Sequence, residues 1–149
     1  MIYQKTVEFF AAHFNETAYL KWIEIKEILD LDATHKRLAA LLQELLLDIH
    51  GHNFKATVRV EGETNNSYSG YLISDEDIDA TVGEWRGINL SVHPDFEGVR
   101  ATTENMAAAL CKKIAKSVQA SCLVTITLYE SENILAISSL KVTRNERIR

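Results

Sequence analysis

Two histidines separated by one glycine, His50-Gly51-His52, form the stretch of the sequence best suited to chemistry. Side chains two residues apart on a strand share a face, so the two imidazoles would project together and could bind zinc as a pair. The glycine would let another backbone or a ligand approach closely. His13 is the candidate third ligand, because the strand that it ends could lie beside the strand of the pair. Three histidines with an open fourth position are typical of a catalytic zinc site.

An isolated His-x-His pair is weak support for a metal site, because histidines of the surface and the core are commoner than metal ligands. The two remaining histidines, His35 and His93, belong to no such pair. His93 lies on the loop that leads to Thr102 and could enter the same site, whereas a surface position is the commoner fate.

Periodicity predicts the elements that would position these histidines. Residues 50–62 alternate apolar and polar side chains, which predicts a half-buried strand. Residues 3–13, 122–129 and 134–142 read as three further strands, the last two joined by a hairpin turn at 130–133. Ser74 with the acids after it, and the segment that begins at Thr102, indicate the starts of two helices.

The segment between the first two strands is harder to assign. Residues 32–49 carry an apolar stripe at helical spacing, which predicts an inserted helix, whereas residues 18–31 fit a helix or a strand. Residues 71–73 could form a short strand. The order of the elements favours an α+β fold, with an antiparallel sheet and helices on one face.

Composition sets outer limits on the function. The 149 residues, 46% hydrophobic and 25% charged, are typical of one soluble globular domain over residues 1–149. A net charge of −5 argues against a nucleic-acid partner, which needs a basic face. No apolar run is long enough to span a membrane. Two cysteines are too few for a disulfide framework, so we expect a cytoplasmic protein.

Four short motifs then resemble, in order, those of the 6-pyruvoyl-tetrahydropterin synthase / 6-carboxy-tetrahydropterin synthase family. They are Ala11-Ala12-His13, His50-Gly51-His52-Asn53-Phe54-Lys55, Thr102-Thr103-Glu104-Asn105 and Tyr129-Glu130-Ser131. The resemblance implies the tunnelling fold: an antiparallel four-stranded sheet with two helices on one face, here with an inserted helix between the first two strands. It also implies self-association as a trimer or hexamer, with active sites at subunit interfaces.

Residue by residue, the resemblance implies that His13, His50 and His52 bind Zn²⁺. Glu130, from an adjoining protomer, would anchor a pterin ring, because a carboxylate can accept two hydrogen bonds side by side. Thr103 and Glu104 match the motif that opens the second helix. A role in substrate binding and plain helix capping are equally open for these two residues. Lys55 and Arg59 could meet a phosphate group.

The proton-transfer groups of the family do not carry over. Leu46 or Arg37, depending on the alignment, stands where the family has a cysteine. Glu84 can replace the aspartate of an Asp-His pair, but Trp85 cannot replace the histidine, since indole has no basic nitrogen. Glu44 and Asp48 are the acids nearest the histidine pair in sequence. Both also fit the solvated face of the inserted helix. We favour that interpretation for Glu44 and keep Asp48 as the candidate.

The resemblance therefore implies a zinc-dependent lyase that acts on dihydroneopterin triphosphate or a related pterin, with Glu84 and Asp48 as candidate catalytic residues. A non-catalytic homologue that binds zinc and a pterin is the alternative. A relative that shares only the fold is a third hypothesis.

Overall fold

The computed structural model describes residues 1–30, 40–42, 49–62 and 72–144. Within these ranges, four strands pair antiparallel in the order β1-β2-β3-β4. The strands are β1 (Ile2–Phe14), β2 (Ile49–Gly62), β3 (Cys122–Tyr129) and β4 (Leu135–Val142). The helices described are α1 (Glu16–Asp30), α2 (Asp75–Gly83) and α3 (Thr103–Ser117). The predicted antiparallel α+β sheet is confirmed.

One face of the sheet is buried beneath helices. The apolar positions of β2, from Phe54 to Val60, have no exposed area, as the alternation predicted. Helix α3 packs on β3 and β4, while α2 packs against α3 and β1. Because side chains alternate along a strand, even-numbered residues of β2 and β3 and odd-numbered residues of β1 line this covered face.

The starts of α2 and α3 follow the predicted capping chemistry. The Ser74 hydroxyl accepts a hydrogen bond from the Asp77 backbone N–H at 3.1 Å, and Thr102 accepts one from Asn105 at 3.3 Å. These oxygens satisfy N–H groups that have no partner inside the helix. The possible short strand at residues 71–73 is not formed where the structure describes it: Leu72 and Ile73 are buried in a bend before Ser74.

The insertion between β1 and β2 starts earlier than predicted. The ambiguous segment at 18–31 is α1, whose first turn is held by Asn15 Oδ1 accepting from the Ala18 N–H at 2.8 Å. Of the helix predicted at 32–49, residues 40–42 are helical, while 31–39 and 43–48 lie outside the described residues. Ile49 already belongs to β2, and Leu42, predicted on the apolar stripe, is 40% exposed.

Helix α1 packs in a small apolar cluster of its own. This cluster contains Phe14, Ala18, Ile25, Ile28 and Leu41. Phe14 ends β1, so the cluster fixes the insertion to the end of the sheet that carries His13. No helix in the described part of the chain is long and apolar enough to cross a membrane.

Candidate metal centre

The register of β1 and β2 brings the three predicted histidines together. His13 pairs with His50, and Ala11 pairs with His52. The ring centroids lie 4.5 Å apart for His13 and His50, 5.2 Å for His13 and His52, and 4.9 Å for His50 and His52. All three side chains continue the alternation of the covered face, at the end of the sheet where the apolar residues stop.

Glu130 completes the group from the same chain. Lys55 pairs with Tyr129, so the next residue, Glu130, comes beside the segment that carries His52. Glu130 Oε1 lies 3.0 Å from His52 Nε2 and 3.9 Å from His13 Nε2. The expectation that an adjoining protomer supplies Glu130 is therefore wrong, because the pairing of β2 with β3 already brings this carboxylate to the histidines.

The His13 ring is oriented by a backbone carbonyl. His13 Nδ1 lies 2.7 Å from the Ala101 carbonyl oxygen. A carbonyl only accepts, so Nδ1 carries the proton and the lone pair of Nε2 is free for a metal. Burial lowers the pKa of His13, as do the neighbouring His50 and His52, against the opposing effects of the Ala101 carbonyl and Glu130. The neutral ring that a metal needs is therefore favoured at neutral pH.

Two nitrogens of this group lack hydrogen-bond partners. Among the described residues, nothing forms a hydrogen bond with the buried His13 Nε2 or His52 Nε2, and the short contact from His52 to Glu130 is not aligned as one. The ligand atoms of His13, His50, His52 and Glu130 all lie within 4.8 Å of one another. Unpaired buried nitrogens around one point are costly unless a ligand satisfies them, so this donor set fits a metal ion.

The surroundings of the group differ on its two sides. The Phe54 ring lies beneath it, 6.0 Å from the His13 ring and 5.5 Å from the His52 ring between centroids. Phe54 is fully buried, whereas His50 is exposed. The group is therefore dry on its core side and open to solvent on the side of His50.

Thr103 connects Glu130 to the start of α3. Its buried hydroxyl donates a hydrogen bond to Glu130 Oε2. Thr102, one residue earlier, caps the helix, so capping does not explain Thr103. Glu104 is exposed and lies outside the metal-binding group. Sequence reasoning missed the bond between Thr103 and Glu130, because no spacing rule links residues that are 27 positions apart.

Gly51 provides a close approach, as predicted, but a side chain of this chain makes it. A Cβ atom at Gly51 would lie 2.4 Å from Cζ of the Phe10 ring. Phe10 covers the glycine from the uncovered face of the sheet, opposite the histidines. The backbone carbonyl oxygen of Ala11 would lie 3.4 Å from the same Cβ atom.

The residues at the lost proton-transfer positions form a separate cluster. Trp85 is fully buried, and its Nε1–H donates to Asp95 Oδ2 at 2.8 Å. Lys113 Nζ donates to the same oxygen at 2.8 Å and also contacts Glu84. Within one chain, the structure thus pairs Glu84 with Lys113 and does not bring it to the histidines. No motif or spacing in the sequence had pointed to Asp95.

His93 belongs to this second cluster and not to the group formed by the three other described histidines and Glu130. Its Nδ1 accepts a hydrogen bond from the Asp95 N–H at 3.2 Å. The ring lines a separate cavity of about 250 Å³ beside Tyr19 and Trp22 of α1. His35, Glu44 and Asp48, together with Leu46 and Arg37, lie outside the described residues.

Two further groups lie away from the histidines. Lys55 and Arg59 are odd-numbered residues of β2, so their side chains point to the opposite face of the sheet. Lys55 lies over the Tyr129 ring, and Arg59 Nε donates to Glu61 at 3.1 Å. Cys111 and Cys122 are buried, and burial raises the pKa of both thiols. Neither cysteine can therefore replace a missing thiolate.

Known proteins resemble this chain in sequence. The sequence model of the 6-pyruvoyl tetrahydropterin synthase family matches residues 3–139. The 6-pyruvoyl tetrahydrobiopterin synthase of Pongo abelii is 28% identical over 95 residues, which are 59% of this chain and 64% of the relative. That of Homo sapiens is 27% identical over 95 residues, with the same coverage. The aligned region thus spans less than two thirds of the length of these relatives.

Solved structures show the same fold. The 6-pyruvoyl tetrahydropterin synthase of Caenorhabditis elegans superposes with a TM-score of 0.58 at 17% identity, covering 96% of each chain. The enzyme of Plasmodium vivax superposes with a TM-score of 0.52 at 14% identity, covering 95% of this chain and 99% of the other. At these identities the likeness concerns the architecture alone.

Proposed function

Because the chain belongs to the 6-pyruvoyl tetrahydropterin synthase family, we propose that it is a zinc-dependent, pterin synthase-like lyase. Its proposed substrate is dihydroneopterin triphosphate or a related pterin, in a reaction of the 6-pyruvoyl- or 6-carboxy-tetrahydropterin synthase type. The observation that carries the proposal is the convergence of His13, His50, His52 and Glu130 at one end of the sheet.

The three histidines would hold the zinc ion. Imidazole nitrogens are common zinc ligands, and a carboxylate beside them fits the same ion. A bound zinc ion would act as a Lewis acid on the hydroxyl groups of the pterin side chain, which makes the adjacent C–H bonds more acidic. The Ala101 carbonyl supports this role by keeping the His13 proton on Nδ1.

Glu130 would recognise the pterin ring. Its carboxylate can accept hydrogen bonds from the amino and N–H groups of the ring. Thr103 supports this role because its hydroxyl holds one oxygen of Glu130 in place. Glu104 stays a proposed ligand contact only for a site shared with another subunit, since it is exposed within one chain.

Asp48 and Glu84 are the proposed proton-transfer groups. Asp48 immediately precedes Ile49, the first residue of β2, and therefore stands two positions before His50 in the sequence. Glu84 would serve only in a site formed between subunits, because within one chain its carboxylate pairs with Lys113. A positioned acid or base contributes about 10²–10⁴ to the rate, so we expect slow turnover if only one of the two acts.

The test is turnover of dihydroneopterin triphosphate by zinc-loaded protein, followed as release of triphosphate and formation of a new pterin by chromatography. We expect release by the wild type, loss in His50→Ala, and retention in Glu132→Gln, whose exposed carboxylate lies on the same hairpin as Glu130. No release above the His50→Ala background would refute the lyase proposal for this substrate.

A non-catalytic pterin-binding protein is the second candidate, and Trp85 favours it. This residue replaces the histidine of the family motif, is fully buried, and packs against the Phe96 ring at 5.3 Å between centroids. The position has thus become part of the core. Saturable binding of a pterin by wild-type protein, abolished in Glu130→Gln and without any turnover, would select this candidate.

The proposal includes self-association as a trimer or hexamer. The uncovered face of the sheet supports it, since it exposes apolar side chains that a neighbouring subunit could bury. Their exposed fractions are 51% for Phe10, 40% for Leu123, 46% for Leu135 and 65% for Ile137. Sedimentation should show a trimer or hexamer that Ile137→Lys weakens and Leu20→Lys, on α1, does not. A wild-type monomer would contradict it.

The free, buried cysteines agree with a reducing, cytoplasmic setting.

A further inference from the structure

We propose that Glu130 is the fourth ligand of the metal whenever no substrate is bound, and that Thr103 is the positioning residue that holds it there. The site would then be closed at rest by three imidazole nitrogens and one carboxylate oxygen. From the sequence, we expected the fourth ligand position of the metal to be open and Glu130 to bind the pterin ring. The contacts of Glu130 argue for a second role of the same side chain.

The first argument is the position of Glu130 Oε1. This oxygen lies 3.0 Å from His52 Nε2 and 3.9 Å from His13 Nε2, two buried nitrogens that have no hydrogen bond within the part of the chain that the structure describes. One carboxylate oxygen and two imidazole nitrogens therefore face a common point, as the ligands of one ion do. Carboxylate oxygen, alongside imidazole nitrogen, belongs to the ordinary ligand set of zinc.

The second argument is that the two oxygens of Glu130 have different surroundings. Oε2 accepts the hydrogen bond of the buried Thr103 hydroxyl, while Oε1 is left for the histidines. A ligand that is hydrogen-bonded on its other atom is fixed in orientation, as second partners of metal ligands usually arrange. His13 shows the same pattern, with Ala101 on Nδ1 and Nε2 left free.

The third argument is exposure. The side chain of Glu130 is 16% exposed and that of His52 is 26% exposed. A charged carboxylate held this far from solvent needs a partner of opposite charge or several hydrogen bonds. Among the described residues, only the Thr103 hydroxyl makes a hydrogen bond to it, and the nearest basic groups are the histidines themselves. A cation at this point would supply the missing positive charge.

One consequence rests on the proposed function. If Glu130 also anchors the pterin ring, the ring and the metal compete for Oε1. Substrate would then bind by taking this carboxylate oxygen from the metal, so the fourth position opens only when a ring is present. The chain would thereby couple substrate recognition to the availability of the metal.

The metal alone tests the main proposal, without any pterin. Loss of a partner that positions a metal ligand typically weakens binding by about 10–100-fold. We expect Thr103→Val to weaken zinc binding about 10-fold, and Glu130→Gln, which removes the ligand itself, to weaken it by at least the upper end of this range, about 100-fold. Glu132→Gln, on the same hairpin but exposed, is the matched control and should bind zinc as the wild type does. Circular dichroism of each metal-free variant verifies the fold.

A spectroscopic readout keeps the test independent of affinity and activity. With Co²⁺ in place of zinc, thiocyanate should leave the visible spectrum of the wild type and of Glu132→Gln unchanged, because no ligand position is open. The spectrum of Glu130→Gln should change. If the Glu130→Gln protein does not fold, Thr103→Val serves in its place and should respond to thiocyanate partially.

The outcomes separate this inference from the proposed function. Equal zinc affinity and equal thiocyanate response in wild type and Glu130→Gln would overturn Glu130 as a ligand, while leaving pterin binding untouched. If Glu130 proves to be a ligand, pterin added to the wild-type Co²⁺ protein should shift its spectrum towards that of Glu130→Gln. No shift would refute the exchange and count against the pterin function, with ligation intact.

Discussion

Replacing Trp85 by Phe should destabilise the protein far more than the same replacement at Trp22. Trp85 is fully buried and donates its indole N–H to Asp95 at 2.8 Å. Trp22 is only partly buried and packs against Phe14, and no such bond joins its indole to any residue in the described ranges. Comparing Trp85→Phe with Trp22→Phe therefore separates two effects. One is the loss of the hydrogen bond and of buried volume, and the other is the general effect of exchanging an indole for a phenyl ring.

The expected magnitude follows from these contacts. A hydrogen bond to a charged group contributes about 1.5–3 kcal/mol, and Asp95 keeps a bond to Lys113, so the lower half of this range applies. The smaller ring leaves a void beside Phe9 and Phe96, which costs about 1 kcal/mol more. We expect a total loss of about 3 kcal/mol for Trp85→Phe and less than about 1 kcal/mol for Trp22→Phe.

Chemical and thermal unfolding followed by far-ultraviolet circular dichroism provide the measurement. For a chain of this length, 1 kcal/mol shifts Tm by about 2–4 °C, so Trp85→Phe should lower Tm by roughly 6–12 °C. Zinc affinity should stay unchanged, because the indole lies outside the metal-binding group. Equal losses of stability in the two variants would refute the reasoning, since the bond to Asp95 would then contribute nothing measurable.

Three further predictions concern Gly51, Asp95 and the metal. Gly51→Ala should lower the free energy of unfolding by about 1–3 kcal/mol, because its Cβ would lie 2.4 Å from the Phe10 ring. Adding Phe10→Ala to this variant should restore most of the lost stability, and a double variant as unstable as Gly51→Ala would contradict the clash. Burial raises the pKa of Asp95, but bonds from Lys113 and Trp85 outweigh it and hold this pKa below the ordinary 3.8. The stability that the ionised Asp95 contributes is full above pH 3.8 and is lost as the pH falls through its lower folded pKa, so acid titration should destabilise the wild type more than Asp95→Asn. Removing zinc with a chelator should lower Tm by roughly 5–10 °C relative to protein in a free zinc concentration of about 100 times Kd. Binding at this concentration stabilises the folded protein by about 2.7 kcal/mol. An unchanged Tm would argue against a bound metal.

Local patterns predicted the parts of the fold that local physics determines. The alternation along residues 50–62 identified β2 and its buried face, because side chains in a strand alternate whatever lies beside it. The same rule placed His50 and His52 on one face. Ser74 was recognisable as a cap because a hydroxyl followed by acids satisfies the free N–H groups of a first turn.

Features that depend on pairing between distant segments could not be predicted in this way. That Glu130 meets His52 of its own chain follows from the register of β2 against β3, which spacing within either strand does not contain. The partner of Trp85 could not be predicted for a different reason: Asp95 lies only 10 residues along the chain, but it reaches the indole through irregular turns after α2 that have no periodic pattern. The start of α1 was missed because its apolar residues face a small separate cluster and form no long stripe.

The four donor groups come from different parts of the chain, which has a consequence for how the molecule would acquire a metal ion. His50 and His52 are neighbours in sequence, but His13 joins them only once β1 has paired with β2, and Glu130 only once β3 has joined β2. Closing such long stretches of chain is slow, because the loss of entropy precedes the gain from contacts. The unfolded polypeptide would therefore offer a metal ion only two neighbouring imidazole nitrogens, which would bind it weakly. If this group binds a metal ion, metallation would be a late step in biogenesis, completed after the sheet has assembled. A nascent chain with only its first two strands would carry three of the four donors.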